Sequence, residues 1–354
     1  MEYRIGVLRG DGIGPEIVDA TLQVLRAAAD RFALRITWVP VPIGWEAITL
    51  RGCATPESTL EALNTCDGWI LGPHDSASYP DEERAKLNPS GQIRQRFDLY
   101  ANIRPARGYP GVPAICPGMD LVIVRENTEG FYADRNMAVG SGELMPTPDL
   151  VLTVGKFSRR AAERIARTAF ALARERRKML AIAHKANVIQ RGYGLFLGTC
   201  RAIGAEYPEV RIEDYHIDAL AAHLVRRGQD FDVIVTTNML GDILSDLTGE
   251  LSGSLGMAPS INASDTHAMA QASHGSAPDI AGKDVANPVG LILSAAMLLN
   301  WLSSQKQDQA IGVAGQAIER AVALTLEKGP RTRDLGGTAR TKEFTNAIVR
   351  HLVG

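Results

Sequence analysis

The stretch that decides the fold is Phe231-Asp232-Val233-Ile234-Val235-Thr236-Thr237, followed directly by Asn238-Met239-Leu240-Gly241-Asp242-Ile243-Leu244-Ser245-Asp246-Leu247. The first segment is short, apolar and rich in β-branched residues, and therefore predicts a buried strand that ends in a polar turn. A helix is predicted to start near Gly241. Asp242 and Asp246 then lie four residues apart on one helical face, beside the end of a strand.

The Asp242 and Asp246 pair has two interpretations. Two like charges at this spacing repel each other, so the pair costs stability unless a cation lies between the carboxylates. Carboxylate oxygens are hard ligands that suit Mg²⁺ or Mn²⁺, which predicts a divalent metal site. The alternative is an N-cap Asp followed by an exposed Asp on a solvated face, because Asp is favoured near a helix start. The spacing alone leaves both open.

The composition predicts an enzyme-sized chain with a small-molecule ligand. A length of 354 residues favours two domains or one elaborated α/β unit. With 45% apolar residues, 22% charged residues and a formal net charge of −2, nothing indicates a nucleic-acid or membrane surface. The longest apolar run, 289–302, is interrupted by Ser294 and Asn300 and is shorter than the roughly 18 residues of a membrane span.

The cysteines predict a cytoplasmic protein. Cys53, Cys66, Cys116 and Cys200 lie far apart in the sequence and form no C-x-x-C pair. No secretory leader is recognised before the first strand. The simplest interpretation is that all four are buried, reduced thiols in a reducing compartment.

A glycine loop follows the first predicted strand, Tyr3 to Leu8, and an alternation of strands and helices continues after it, which predicts a mostly parallel sheet. The loop reads Arg9-Gly10-Asp11-Gly12-Ile13-Gly14-Pro15-Glu16. It is not an ordinary dinucleotide fingerprint, because Pro15 occupies the position of the third glycine in G-x-G-x-x-G. The loop predicts a tight turn whose N–H groups face an anion or substrate, or a turn that is purely structural.

Charged residues recur at the predicted ends of elements. Arg94 and Arg104 frame a helix-to-strand passage, and Arg125 follows the strand Leu121 to Val124. Singly, each arginine could be a surface cation with a buried stem. Together they match the need of a di- or tricarboxylate, because guanidinium forks bind carboxylates at two points. Lys185, after the strand Met179 to Ala183, is either a catalytic or a solvated lysine.

Three further segments complete the pattern. Asp218 opens an apolar-periodic helix, and Asp279 lies in a small-residue loop where it could accept hydrogen bonds from ribose hydroxyls. Residues 140–148 are rich in Gly and Pro and turn into the alternating segment Leu150 to Val154. This segment predicts a hairpin-like arm, and such an arm often packs against a partner subunit.

Six motifs, which occur in the same order along nearly the whole chain, resemble those of the isocitrate/isopropylmalate dehydrogenase family of metal-dependent β-decarboxylating dehydrogenases. They are G-D-G-I-G-P-E, N-I-R-P, V-R-E-N-T-E-G-F-Y, H-K-A-N, G-D-I-L-S-D and H-G-S-A-P-D-I-A-G-K. The resemblance implies an α/β fold of the isopropylmalate dehydrogenase type, which is not a standard Rossmann fold. It also implies a discontinuous outer, cofactor-binding domain of residues 1–98 and 252–354. The middle domain, 99–251, would carry the dimer interface and an intersubunit arm near 135–155.

The resemblance also implies roles for individual residues. Arg94, Arg104 and Arg125 resemble the arginines that hold the malate carboxylates. Asp242 and Asp246 resemble metal ligands from one subunit of a homodimer, joined by Asp218 from the other. Tyr132 and Lys185 resemble the acid/base pair, with Lys185 reaching across the dimer, and Asn187 resembles a substrate or nicotinamide contact. The residues that resemble the adenosine-binding loop are His274, Gly275, Ser276, Ala277 and Asn287, with Asp279 where NAD-preferring members carry an acid.

The residue types with these implied roles fit the chemistry of an oxidative decarboxylation. Oxidation of a secondary alcohol requires removal of its proton as the hydride leaves, and a lysine can take it when burial or nearby cations depress its pKa. A divalent cation chelated by the hydroxy acid stabilises the enolate that remains when CO₂ departs, and Tyr132 can protonate that enolate. Asp279 would repel a 2′-phosphate, and Ile280 adds no positive charge, which predicts NAD over NADP.

The substrate is predicted from the residues just before Arg94. Isopropylmalate enzymes usually place leucines there, whereas this chain reads Leu87-Asn88-Pro89-Ser90-Gly91-Gln92-Ile93, a small and polar wall. Asn88 or Ser90 could donate hydrogen bonds to the extra carboxylate of isocitrate, and the same wall admits D-malate or tartrate. Because isopropylmalate turnover is the commoner activity of such chains, 3-isopropylmalate remains slightly favoured.

Two functions of a different class remain. The chain could be a noncatalytic, regulatory subunit that keeps the fold, although intact Lys185, Tyr132 and acids argue against it. A phosphate-handling enzyme would use the glycine loops, but the sequence contains no G-x-x-x-x-G-K-[ST].

Overall fold

A computed structural model of the protein describes residues 1–132, 137 and 140–354. In this part of the chain, ten strands form one mixed sheet in the order β2-β1-β3-β12-β11-β4-β5-β10-β8-β9, and β6 and β7 form a separate hairpin. The strands are β1 Glu2–Leu8, β2 Arg35–Pro40, β3 Gly68–Leu71, β4 Ala101–Arg107, β5 Asp120–Glu126, β6 Glu143–Thr147, β7 Leu150–Thr153, β8 Met179–His184, β9 Arg211–His216, β10 Val233–Thr236, β11 Ile261–Ala263 and β12 Ala268–Ala270.

The α-helices of the described residues lie between these strands and after them. They are α1 Gly14–Arg31, α2 Trp45–Arg51, α3 Glu57–Asn64, α4 Asp81–Arg84, α5 Pro89–Arg96, α6 Arg159–Glu175, α7 Gln190–Gly204, α8 Ile217–Arg227, α9 Asn238–Ser252, α10 Val289–Lys306, α11 Gln309–Lys328 and α12 Thr341–Val353. The predicted alternation of strands and helices is therefore present, and the structure adds β9, β11 and β12, which the sequence analysis did not predict.

Most neighbouring strands of the sheet run parallel. β1 pairs in parallel with β2 and β3, and β10 pairs in parallel with β5 and β8. Antiparallel pairing occurs in the middle, where β11 lies between β12 and β4, and β4 pairs with β5. The predicted α/β fold with a mostly parallel sheet is confirmed.

Apolar side chains cover both faces of the sheet, because successive residues of a strand point to opposite sides. On β10, Val233 and Val235 pack into the cluster with helix α6, whereas Ile234 packs with α8 and α9 on the other face. Buried parallel strands of this kind read as continuous apolar runs. The predicted domain boundaries, 1–98 with 252–354 and 99–251, stay a prediction.

Helix α9 begins three residues earlier than predicted. Its N-cap is Thr237, in an extended conformation, and the N–H of Gly241 donates to the Thr237 carbonyl at 2.9 Å. The polar turn after β10 is thus already the start of the helix. Asp242 is the fifth residue of α9, so the alternative interpretation of this residue as an N-cap is wrong.

The remaining segments agree in part with the sequence analysis. The apolar run 289–302 lies in α10, most of which is buried in the core, and among the described residues no helix has the length and apolarity needed to cross a membrane.

The cysteines are free thiols. Cys53 is only partly buried, so the prediction that all four thiols are buried is wrong at this position.

The predicted arm is a two-stranded hairpin in its described part. β6 and β7 pair antiparallel, with Glu143 opposite Thr153, and every residue of both strands is exposed. The predicted arm near 135–155 begins in a stretch of which residues 135, 136, 138 and 139 lie outside the described residues. Its packing against a partner subunit stays a prediction.

Candidate active site

A polar cavity of about 230 Å³ lies where the carboxyl ends of β3, β5 and β10 meet. In parallel sheets, ligands bind at this edge of the strands. The cavity contains most of the predicted substrate-binding residues and one predicted metal ligand. Its lining residues are Pro73, His74, Ser76, Asn88, Ser90, Arg94, Arg104, Arg125, Asp242, Gln271, Ala272, Ser273, His274 and Gly275.

Arg125 is the most deeply buried of the three predicted arginines. It is the penultimate residue of β5 at 1% exposure, and its Nε and Nη2 donate to the Oδ1 of Asn238 at 2.9 and 2.6 Å. Its Nη1 donates to the carboxylate of Asp242. A guanidinium this buried needs such partners, because an uncompensated charge in the interior is costly. The start of α9 therefore fixes Arg125.

Arg104 joins β4 to the acids of α9. It is 6% exposed and donates to Asn102 Oδ1 and Ser245 Oγ, both at 2.6 Å. Its Nη1 lies 3.3 Å from the carboxylate of Asp242 and 3.7 Å from that of Asp246. Burial lowers the pKa of Arg104, and the two carboxylates oppose that shift.

Arg94 closes the cavity on the other side. It lies in the last turn of α5 at 9% exposure, and its Nη2 donates to Gln271 Oε1 at 3.0 Å. Asn88 is the N-cap of the same helix, and its Oδ1 accepts from the Gly91 N–H at 2.8 Å and from the Ser90 hydroxyl at 3.0 Å. Helix α5 thus presents Asn88, Ser90 and Arg94 to one cavity.

Asp242 and Asp246 lie on one face of α9, as predicted. Their side chains are 37% and 54% exposed and meet the guanidinium of Arg104. Burial raises the pKa of Asp246, which Arg104 partly offsets. Such a pair of hard oxygen donors fits a divalent cation. In the described part of the chain, however, no three acidic, histidine or cysteine side chains come together as a metal site.

Tyr132 is half-buried beside Asp242. Its hydroxyl donates to Asp242 Oδ2 at 3.4 Å, and the guanidinium of Arg125 lies 6.0 Å from the centre of its ring. Tyr132 is not itself a lining residue of the cavity, but it contacts Asp242, which is, and a phenol can act as a proton donor.

Lys185 and Asp218 form a second group at the ends of β8 and β9. The Lys185 ammonium donates to the Asp218 carboxylate at 2.5 Å, and this hydrogen bond lowers the pKa of Asp218. The side chains are 27% and 68% exposed. Asn187 is exposed two residues beyond Lys185. None of these three residues lines the cavity within the described part of the chain.

A second, more apolar cavity of about 410 Å³ shares His274 and Gly275 with the first. Ile13, Leu255, Ala277 and Ile280 are among the apolar residues that line it, and Asn287 and Asp334 among the polar ones. A cleft that is mostly apolar with a few polar groups fits an adenosine. Ser276 is buried and its carbonyl accepts from the Ile13 N–H, whereas Asp279 is exposed beside the cleft-lining Ile280.

The glycine loop supports the cavity through Asp11. Gly10 and Gly12 have φ of 67° and 58°, a region that favours glycine. This backbone buries the Asp11 carboxylate, which accepts from the N–H groups of Trp45 and Asp75 at 2.9 and 3.0 Å. The N–H groups of Asp11, Ile13 and Gly14 donate to backbone carbonyl groups of the protein, so of the two interpretations of the loop they support the structural turn.

Among the cavity residues that were not predicted, Gln271 and His74 are the two with a direct bearing on the site. Gln271 follows β12 and orients Arg94. His74 follows β3, both of its ring nitrogens are buried without a hydrogen-bond partner, and burial lowers its pKa to about 4. Neither belongs to a motif. The position of His74 after a buried strand was a signal that could have found it.

Comparisons with known proteins show the family and the fold of the chain. The family model described as isocitrate/isopropylmalate dehydrogenase matches residues 4–348. An isocitrate/homoisocitrate dehydrogenase of Thermus thermophilus is 45% identical over 99% of both chains. A 3-isopropylmalate/3-methylmalate dehydrogenase of Methanocaldococcus jannaschii is 38% identical over 99% of both. The crystal structure of isocitrate dehydrogenase from Methylococcus capsulatus superimposes with a TM-score of 0.89 at 35% identity, covering 99% of this chain and 100% of that one.

The fold and the family model together define an oxidoreductase class. The chain belongs to the isocitrate/isopropylmalate dehydrogenase family. It is a decarboxylating dehydrogenase of that family, whose members use a divalent metal and a nicotinamide cofactor.

Proposed function

We propose that the protein catalyses the NAD- and Mg²⁺- or Mn²⁺-dependent oxidative decarboxylation of a 2-hydroxy acid of the isocitrate type. The observation that carries this proposal is the polar lining of the cavity. Apart from the arginines and Asp242, the wall consists mainly of His74, Asn88, Ser90, Gln271 and neighbouring small residues, with Pro73 and Ala272 as its apolar side chains. A polar substituent on the third carbon suits this wall better than an isopropyl group.

The energetic reason is the cost of unpaired polar groups. An isopropyl group against His74 would keep water out and leave both ring nitrogens of this histidine without partners. A carboxylate can accept a hydrogen bond from a neutral imidazole or a side-chain amide. The name of the Thermus relative, which includes isocitrate, supports the same class.

The second candidate substrate is 3-isopropylmalate, which the sequence slightly favours. The observation in its favour is the M. jannaschii relative, whose name includes isopropylmalate and methylmalate, at 38% identity. D-malate and tartrate, which carry no apolar substituent, also remain compatible with the polar wall.

In the proposed reaction, Arg94, Arg104 and Arg125 bind the carboxylates and hold the acid in one orientation. Lys185, as the neutral amine, accepts the proton of the hydroxyl group, and Tyr132 donates a proton to the carbon from which CO₂ has left. Asp242 and Asp246, with Asp218, would hold the cation, and His274, Ala277 and Asn287 would hold the dinucleotide. When bound, the cation stabilises negative charge on the substrate oxygens, and the nicotinamide accepts the hydride.

A homodimer with shared sites is part of the proposal. Lys185 and Asp218 pair with each other and do not line the cavity of their own protomer in the described chain. The hairpin exposes Leu144, Met145, Val151 and Leu152, each at about half or more of its surface. Exposed apolar patches of this kind mark protein contacts. A second protomer would cover them and bring its lysine to the cavity.

The proposal is tested by following NADH absorbance with Mg²⁺, NAD and isocitrate, 3-isopropylmalate, D-malate or tartrate. We expect the highest kcat/KM with isocitrate. His74→Leu should lower kcat/KM for isocitrate by about tenfold and raise the ratio for isopropylmalate, because it replaces a polar wall by an apolar one. A higher kcat/KM of the unchanged protein for isopropylmalate would contradict the isocitrate assignment, and no turnover of any acid would support a regulatory subunit.

Asp279→Arg is expected to raise the NADP to NAD ratio of kcat/KM by about tenfold or more. Asp279 is exposed next to the apolar cleft, where its charge opposes a 2′-phosphate and an arginine would attract it. Steady-state kinetics with both cofactors check the result. Asp265→Arg, on an exposed turn, is the control for added positive charge. An unchanged NADP to NAD ratio of kcat/KM in Asp279→Arg would mean that the cofactor does not bind beside Asp279.

Gly241→Ala should raise KM for the hydroxy acid by about tenfold, because an added Cβ would lie 2.7 Å from the Cβ and Cγ of Arg125. Overpacking of this kind costs about 1–3 kcal/mol of stability. Gly249→Ala, on the same helix, is the matched control, since its Cβ would meet Ala258 at 3.4 Å, an ordinary contact. Kinetics and urea denaturation of both variants check the prediction. An equal KM in both would show that Arg125 can shift without loss of binding.

A further inference from the structure

A chain of polar contacts leads from helix α7 to the turn that carries Lys185. Arg201 of α7 donates to Asp214 Oδ2 on β9 at 2.6 Å, and Asp214 Oδ1 lies 3.1 Å from His184 Nε2 at the end of β8. The Ala186 N–H, one residue after Lys185, donates to His184 Nδ1 at 3.1 Å. These contacts use both ring nitrogens of a histidine that is 2% exposed.

The contacts fix the tautomer of His184. Nδ1 accepts from an amide N–H, so it carries no proton, and Nε2 must carry the proton that Asp214 accepts. The imidazole is therefore neutral, which agrees with the lowering of its pKa by burial. The Arg201 guanidinium in turn fixes the orientation of the Asp214 carboxylate.

The carbonyl group of the same peptide, that of Lys185, is engaged as well. The Lys185 carbonyl accepts from the N–H groups of Val188 and Ile189 at 3.1 and 3.0 Å, which closes the turn before α7. With the Ala186 N–H held by His184, the peptide that follows Lys185 has both of its hydrogen-bonding groups engaged. The direction in which the lysine side chain leaves the sheet is thereby set.

We propose that His184 is a positioning residue for Lys185, which it orients through the Ala186 N–H, and that Asp214 and Arg201 maintain the tautomer required for this. The proposal rests on the proposed function only in taking Lys185 as the group that receives the substrate proton. A purely structural histidine would fill the space and affect stability. A positioning residue affects the chemical step, since proton transfer depends steeply on geometry.

Two substitutions test the roles of the two ring nitrogens of His184 separately. His184→Asn places an amide oxygen near the position of Nδ1 and can still accept from Ala186, whereas His184→Gln reaches toward Asp214 and leaves the Ala186 N–H without an acceptor. With Mg²⁺, NAD and the acid of highest kcat/KM, we expect His184→Gln to lower kcat about 30-fold with KM changed less than about threefold. His184→Asn should stay within about fivefold of the unchanged protein.

The double variant Lys185→Met/His184→Gln links the effect to the lysine. If His184 acts through Lys185, the second substitution should cost nothing beyond Lys185→Met alone, because coupled residues are not additive. A further 30-fold loss in the double variant, or equal losses in His184→Asn and His184→Gln, would overturn the proposal. Should His184→Gln fail to fold, Asp214→Ala carries the same test, with a smaller loss of kcat expected.

The two ways of failing are distinguishable. If Lys185→Met itself keeps near-normal turnover, the role of Lys185 in the proposed function is wrong, and there is no base for His184 to position. If Lys185→Met is inactive but His184→Gln keeps its kcat, the proposed function stands and the positioning proposal is wrong.

Discussion

Lys185→Met is expected to lower kcat by about 10³-fold and to change KM for the hydroxy acid and NAD by less than about threefold. General base catalysis contributes about 10²–10⁴ to a rate, and methionine keeps the length of the side chain while removing its proton acceptor. Steady-state kinetics at saturating Mg²⁺ check the result. Lys328→Met, in the exposed last turn of α11, is the control and should have full activity.

Hybrid dimers test whether Lys185 acts across the interface. A protomer with Lys185→Met is co-expressed with a differently tagged protomer carrying Asp242→Asn, and the mixed dimer is purified through both tags. If the lysine of one protomer serves the cavity of the other, one site of the hybrid has both defects and the other has none. About half of the unchanged activity should return. An inactive hybrid would mean that each site takes both residues from one chain.

Asp246→Asn is expected to raise the Mg²⁺ concentration for half-maximal activity by about 10²-fold. The carboxylate lies on the same face of α9 as Asp242, where the two acids offer hard oxygen ligands, and an amide is a weaker ligand without charge. Because the side chain is half-exposed, its loss should cost little stability. Metal titrations of activity check the first expectation.

A measurement without turnover separates metal binding from catalysis. Mn²⁺ should raise the Tm of the unchanged protein, because a ligand that binds the folded state stabilises it, and should raise that of Asp246→Asn far less. The matched control is Glu250→Gln, one turn further along α9, whose side chain can still accept from the Leu255 N–H. An equal Mn²⁺ shift in Asp246→Asn and the unchanged protein would exclude Asp246 as a ligand.

Local patterns predicted the secondary structure because they depend on neighbours in the sequence. The run 231–237 contains the buried strand β10, and the spacing of Asp242 and Asp246 put both acids on one face of α9. The start of that helix was missed by three residues. Thr237 looked like the end of a turn, and its role as N-cap depends on backbone angles that composition does not specify.

The position of the arginines at element ends predicted their presence in one site, but their partners depend on contacts over long sequence distances. Arg94 donates a hydrogen bond to Gln271, which lies 177 positions away in the sequence, and Arg104 donates one to Ser245, 141 positions away. His74 carries no motif, and only the folding of its loop over the cavity shows that its nitrogens are buried without partners. The polarity of the wall, which distinguishes substrates, therefore emerged from the structure.

The sequence by itself determined the alternation of strands and helices in outline, the family and the types of residue at the strand ends, because each of these follows from local spacing and residue chemistry, whereas the short strands β9, β11 and β12 were not predicted. Only the tertiary structure decided which side chains share the cavity, and that His184 contacts Asp214 and the turn after Lys185. The physical reason is that hydrogen bonding and burial depend on distances in space, and separate strands are brought together only when the sheet forms.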